Sequence, residues 1–136
     1  FRPHCAGLLA CQSGEGLWHQ LLDRNDSYLE SSATAMFVYG FARGINRGWL
    51  DAKAYGPAAL LGWNALGTQI NNIGQIENVC VGTGVSYEPA YYYNRHVHPY
   101  TAHGYGPVLM AGSEMLALLD GFDIRQSTAI YFYDRK

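Results

Sequence analysis

Tyr55-Gly56-Pro57-Ala58-Ala59-Leu60 returns fifty positions later as Tyr105-Gly106-Pro107-Val108-Leu109-Met110, and both copies read Y-G-P-x-x-apolar. Proline belongs near a helix start, where its missing N–H is unpaired anyway and its fixed φ already suits the helix. Each copy is therefore expected to open a helix at about its proline. A repeat of this length, holding two helices, is the pattern of a closed ring of helical hairpins. The chain is expected to be mainly α.

The surroundings fit that expectation. Asp51 is placed to cap a helix that reaches about Thr68, with its α-helical part starting at Gly56 or Pro57. Pro107 opens another through Leu119, closed by Asp120-Gly121. Upstream, Ser31 or Ser32 caps a helix running to about Asn46, where Gly44, Gly48 and the polar residues between them stop it. Met36, Phe37, Tyr39, Gly40 and Phe41 cover much of that helix's circumference, so it should pack on two sides. Phe1, Cys5, Leu8 and Leu9 have helical spacing and read as the tail of a longer helix ending by Ser13-Gly14.

Residues 14–30 read as a loop, extended over Leu17 to Leu22. Residues 70–103 turn to Gly, Asn, Tyr and Pro, with short strands expected at Gln75 to Val81 and Tyr91 to Asn94. A connection that long in a compact domain is usually functional. Thr128 to Tyr133 alternates as a terminal strand would.

Composition narrows the partners. Apolar residues are 49% of the 136 and charged ones 15%, which excludes a disordered tail and implies much surface packed against something. A net charge of −2 with nine basic residues scattered singly offers no footprint for nucleic acid or an anionic membrane, and neither is expected as a partner. No apolar run approaches a spanning helix. Cys5, Cys11 and Cys80 cannot all pair internally and lack metal or redox spacing, so reduced thiols are expected. The chain opens on Phe1, and we expect residues 1–136 to be a single partial domain, with a homo-oligomer or docking to a missing N-terminal part as its assembly. The cellular compartment stays open.

The chemistry-bearing residues gather in two loops. Trp18-His19-Gln20 offers an indole plane and planar polar groups, suited to stacking on a sugar face and fixing hydroxyls. Trp18 as a core anchor and His19 on a loop carbonyl is the competing reading. Cys80-Val81-Gly82-Thr83-Gly84, Tyr91-Tyr92-Tyr93-Asn94-Arg95 and His103-Gly104-Tyr105 add glycines that admit a ligand, aromatic planes, and a guanidinium able to grip a carboxylate. The candidate substrate-binding residues are Trp18, His19, Gln20, Thr83, Tyr93, Arg95, His103 and Tyr105. His96, His98 and His103 match no zinc spacing, so no metal site or cofactor is expected. Cys80 reads as packed rather than nucleophilic, and Glu30 as a helper at the following helix start.

The run Gly16 to Asp23, G-L-W-H-Q-x-L-D, followed by Tyr28 to Phe37, Y-L-E-S-S-A-x-A-M-F, resembles glycoside hydrolase family 105, the unsaturated rhamnogalacturonyl hydrolases. More distantly it resembles the unsaturated glucuronyl hydrolases. C-x-G-T-G at Cys80 and H-G-Y-G-P at His103 extend the likeness over nearly the whole chain. The resemblance implies the C-terminal portion of an (α/α)6 toroid and an unsaturated uronide oligosaccharide as substrate. It also implies a reaction that hydrates the C4=C5 vinyl ether. An aspartic acid protonates C4, water adds at C5, and the hemiketal opens to release the sugar. The family's catalytic aspartate belongs to its N-terminal half, so no catalytic residue is assigned here. A non-catalytic sugar-binding or assembly module, or another (α/α)6 uronide hydrolase, is the alternative.

Overall fold

The computed structural model describes residues 1–126 and 131–136. Its order is α1 (Arg2–Ala10), β1 (Trp18–His19), β2 (Leu29–Glu30), α2 (Ser31–Asn46), α3 (Ala52–Gly67), α4 (Pro89–Tyr93), α5 (Ala102–Gly121), β3 (Phe122–Gln126) and β4 (Tyr131–Arg135). β1 pairs antiparallel with β2, and β3 with β4. The chain is mainly α.

Helix α2 is the centre. Thr34, Ala35, Val38, Phe41, Ala42 and Ile45 recur at helical spacing and are all buried, against α3 on one side and α5 on the other. Each large apolar side chain so buried contributes about 1.5–3 kcal/mol. Gly48, at φ +71, makes the turn that ends the helix and sends the chain back along α3.

The cap of α2 differs from expectation. Glu30, not Ser31 or Ser32, is the N-cap, and its carboxylate accepts from the Ala33 N–H. Ser31 and Ser32 lie inside the helix. Asp51 caps α3 as expected, accepting from the Ala54 N–H at 2.9 Å.

Both Tyr-Gly-Pro helices begin earlier than their prolines. α3 starts at Ala52 and α5 at Ala102, so Pro57 and Pro107 are each the sixth helical residue. Proline there forfeits one backbone bond, and its ring clashes with the Cβ of a preceding helical residue. Gly56 and Gly106 have no Cβ. That is why the motif carries glycine before proline and why the helix runs through it.

Two further expectations change. Tyr91 to Asn94 is not a strand: Pro89 opens the short helix α4 there. Gln75 to Val81 forms no named strand either, only bridges between Ile70 and Ile76 and between Cys80 and Val97. The expected terminal strand appears as β4, although residues 128–130 of it lie outside the described residues. Its partner β3 is an addition to the sequence reading. No helix among the described residues is long and apolar enough to cross a membrane.

Direction of the helices fixes the site. At one end Glu30 bonds the Cys80 N–H and His103 bonds the Cys80 carbonyl. Farther along, Arg43 and Asn46 of α2 both bond Glu114 of α5. Thus α2 and α5 run parallel, with their N-termini together. Both long connections, residues 11–30 and 68–101, meet at that end, while the short turn 47–51 lies at the other.

Candidate functional site

Trp18 is fully buried and is not a sugar platform. Its indole Nε1 donates to the Leu8 carbonyl at 2.6 Å, and its ring meets Phe37 and Phe41 edge-on at 5.4 and 5.8 Å. Stacking on a ligand needs an open face, and this ring has none. Its role is to pin the Gly16–Glu30 loop to α1 and α2, helped by its N–H on Thr34 Oγ1 at 3.0 Å.

The next two residues part company. Gln20 turns toward the second loop and brings Nε2 to 3.5 Å from Cys80 Sγ. His19 Nδ1 meets the Ser27 carbonyl at 2.5 Å. A carbonyl can only accept, so Nδ1 carries a proton. His19 borders a groove of about 440 Å³ shared with Cys11, Leu22, Asp23 and Asn25.

The second loop is held by its own polar groups. Thr83 Oγ1 donates to the Val81 carbonyl at 2.9 Å and lies 3.4 Å from Cys80 Sγ. The Arg95 guanidinium donates from Nη2 to the Gly82 carbonyl at 2.5 Å and sits 5.0 Å from the Tyr91 ring centre. Among the described residues no carboxylate pairs with it. His103 Nε2 lies 2.7 Å from the Cys80 carbonyl, which makes it the donor. Tyr105 bonds the Pro99 carbonyl at 2.9 Å.

Two contacts join the loops. Tyr93 donates to Asp26 Oδ1 at 2.8 Å, a bond that raises the phenol's pKa because ionising it would abandon the carboxylate. Tyr28, which the sequence did not single out, brings a buried hydroxyl close to Cys80 and Arg95. Burial foremost, then Cys80 and Glu30, push its pKa up, with Arg95 opposing. It stays a neutral phenol.

The structure therefore brings Gln20, Thr83, Arg95 and His103 together around the segment from Cys80 to Thr83, with Tyr93 bridging from the edge. Trp18 lies in the core, His19 bonds back within its own loop, and Tyr105 braces the approach to α5. Sequence reasoning missed Asp26, Tyr28 and Glu30 as parts of the site. Their signal was present only as their place inside the Gly16–Phe37 stretch.

Comparison with known proteins places this geometry. The family model described as Glycosyl Hydrolase Family 88 matches residues 1–119. An unsaturated 3S-rhamnoglycuronyl hydrolase from Formosa agariphila is 32% identical over 87% of this chain and 30% of its own length. A Salmonella enterica structure described as a possible member of glycoside hydrolase family 105 superposes with a TM-score of 0.80. It is 29% identical and covers 85% of this chain, which spans 30% of it. A glycosyl hydrolase family 88 structure from Bacteroides vulgatus gives a TM-score of 0.72 at 31% identity, over 85% of this chain and 33% of the other. The chain thus spans well under half the length of these relatives, and its helices are a portion of an (α/α)6 toroid. It belongs to glycosyl hydrolase family 88 and is of the glycoside hydrolase family 105 type.

Proposed function

We propose that this chain forms one wall of the substrate pocket of a hydrolase that removes unsaturated galacturonic acid from rhamnogalacturonan oligosaccharides by hydrating the vinyl ether. The observation that carries this reading is Arg95. It is a lone guanidinium, fixed between the Gly82 carbonyl and the Tyr91 ring and free of any carboxylate among the described residues. A cation held in place without a counter-ion suits a ligand carboxylate. Gln20, whose Nε2 keeps a second N–H beyond its contact with Cys80, and the remaining acceptor capacity of the Thr83 hydroxyl are suited to sugar hydroxyls nearby. The Formosa relative's name, with its rhamnoglycuronyl substrate, supports the same class.

On this reading the acid that protonates C4 belongs to a part of the toroid outside this wall: Asp26 is bonded to Tyr93, Asp23 is an exposed residue beside Arg24, Glu30 is buried among donors, and Asp51 caps α3 at the far end. Calorimetric titration with an unsaturated rhamnogalacturonan disaccharide tests the reading. Binding should be measurable and should weaken about tenfold in Arg95→Ala, the loss of one charge-assisted contact. Equal affinity for a saturated, uncharged disaccharide would overturn it.

A further inference from the structure

Glu30 is an unusual cap. Ser, Thr, Asp and Asn are the preferred residues at this position, and two serines come directly after it. The residue is 2% exposed, a costly place for a carboxylate unless donors surround it. Three donors do. Oε2 accepts from the Ala33 N–H at 2.5 Å, the Ser32 hydroxyl lies 2.8 and 3.1 Å from the two oxygens, and Oε1 also accepts from the Cys80 N–H at 2.8 Å. The N-terminus of α2 adds a favourable field.

The Cys80 contact is what a serine or aspartate could not make. It reaches fifty residues along the chain, from the start of α2 to the start of the second loop. Everything in the wall hangs on that segment: the Cys80 carbonyl takes His103, its sulfur meets Gln20 and Thr83, and the Gly82 carbonyl holds Arg95. Glu30 itself touches none of the surface a ligand would reach.

We propose that Glu30 is a positioning residue: its carboxylate clamps the Cys80–Gly84 segment to the N-terminus of α2 and so sets where Arg95 and Thr83 present themselves. This rests on the reading that the wall binds an unsaturated uronide. Length and polarity are both required. Aspartate keeps the cap on Ala33 but falls one methylene short of Cys80. Glutamine keeps the length but turns an N–H₂ toward either the Cys80 or the Ala33 N–H, donor against donor.

The test pairs two readouts on Glu30→Asp, with Glu30→Gln as the second variant. Amide exchange at Cys80 should quicken on the order of tenfold while the amides in the middle of α2 stay protected, because only the clamp opens. Affinity for the unsaturated rhamnogalacturonan disaccharide should fall about tenfold, the loss expected for a buried charge-assisted bond that orders the site. An unchanged Cys80 amide in Glu30→Asp would overturn the clamp. An opened Cys80 amide with unaltered affinity would show Glu30 to be a fold element only. If the wild-type chain does not bind the disaccharide at all, the uronide reading fails, and the exchange comparison still decides whether Glu30 holds the loop.

Discussion

The starts of α3 and α5 share one plan, with a capping position, an alanine, and Tyr-Gly-Pro reaching the sixth helical residue, yet they serve opposite ends of the molecule. At α3 the preceding connection is the short turn 47–51, Asp51 caps the helix, Tyr55 packs edge-on to Phe41, and Lys53 is exposed. At α5 the preceding connection is long and Thr101 makes no side-chain cap. His103, at the position of Lys53, instead reaches the Cys80 carbonyl, and Gly104 lets Val79 approach so closely that a Cβ would lie 2.7 Å from it. The same helix-starting device thus follows a short turn once and a long, polar-bonded loop once. What differs is the loop before the helix, not the helix.

That contrast can be broken in graded ways. The largest effect belongs to the anchor of the loop end: Trp18→Ala should cost about 3–5 kcal/mol in denaturant unfolding, whereas exposed Trp49 at the turn end should cost little on truncation. Next come the matched glycines. Gly106→Ala has open space and meets only the pre-proline strain, about 1 kcal/mol. Gly56→Ala meets the same strain and also places a Cβ 2.5 Å from the Tyr133 ring, adding about 1–3 kcal/mol. Equal losses at the two glycines, measured by thermal unfolding, would remove the asymmetry.

A smaller difference separates His103 from Lys53, each two residues past its capping position. His103→Ala should cost about 1 kcal/mol and loosen the Cys80 amide to exchange, while Lys53→Ala should do neither. The smallest effect is a pH dependence that belongs to the turn end, where Glu114 of α5 meets Arg43 and Asn46 of α2. Burial works to raise its pKa, but the hydrogen bonds from Asn46 and Arg43 and the charges of Arg43 and Arg47 prevail and hold it below the ordinary 4.5. A carboxylate depressed in the folded state contributes stability that is present above its unfolded pKa and lost as pH falls through the folded one. Melting temperature should therefore decline more steeply below pH 4.5 in the wild type than in Glu114→Gln. Parallel acid profiles would show that the pair contributes nothing.

Much of this is legible in the sequence because its causes are local. Asp51 caps the helix directly after it, the apolar spacing of α2 declares a helix packed on two sides, and Tyr-Gly-Pro repeats in sequence as it does in space. Where sequence and structure disagree, the cause is a contact or a neighbour that spacing does not display. Proline by itself signals a helix start, and only the glycine before it lets a helix pass through. Tyr91 to Asn94 looks extended on its aromatic content, while Pro89 makes it a helical turn. Ser31 and Ser32 are the better caps by residue type, but the partner that favours Glu30 is the Cys80 amide, far along the chain. Trp18 offers an indole equally suited to core or ligand, and only packing against Leu8, Phe37 and Phe41 decides between them. Of the candidate site, the meeting of the two loops is foreseeable as a grouping of residue types, but the opposite turns of His19 and Gln20 are not.

The central claim is that ligand binding belongs to the end where the two long loops meet. Backbone amide shifts recorded while an unsaturated rhamnogalacturonan disaccharide is titrated into the chain test it directly. Shifts concentrated at Gln20 to Tyr28 and Cys80 to Arg95, with the turn 47–51 unmoved, are the predicted result. Shifts centred on Trp49 and the start of α3, or none anywhere at saturating sugar, would contradict it.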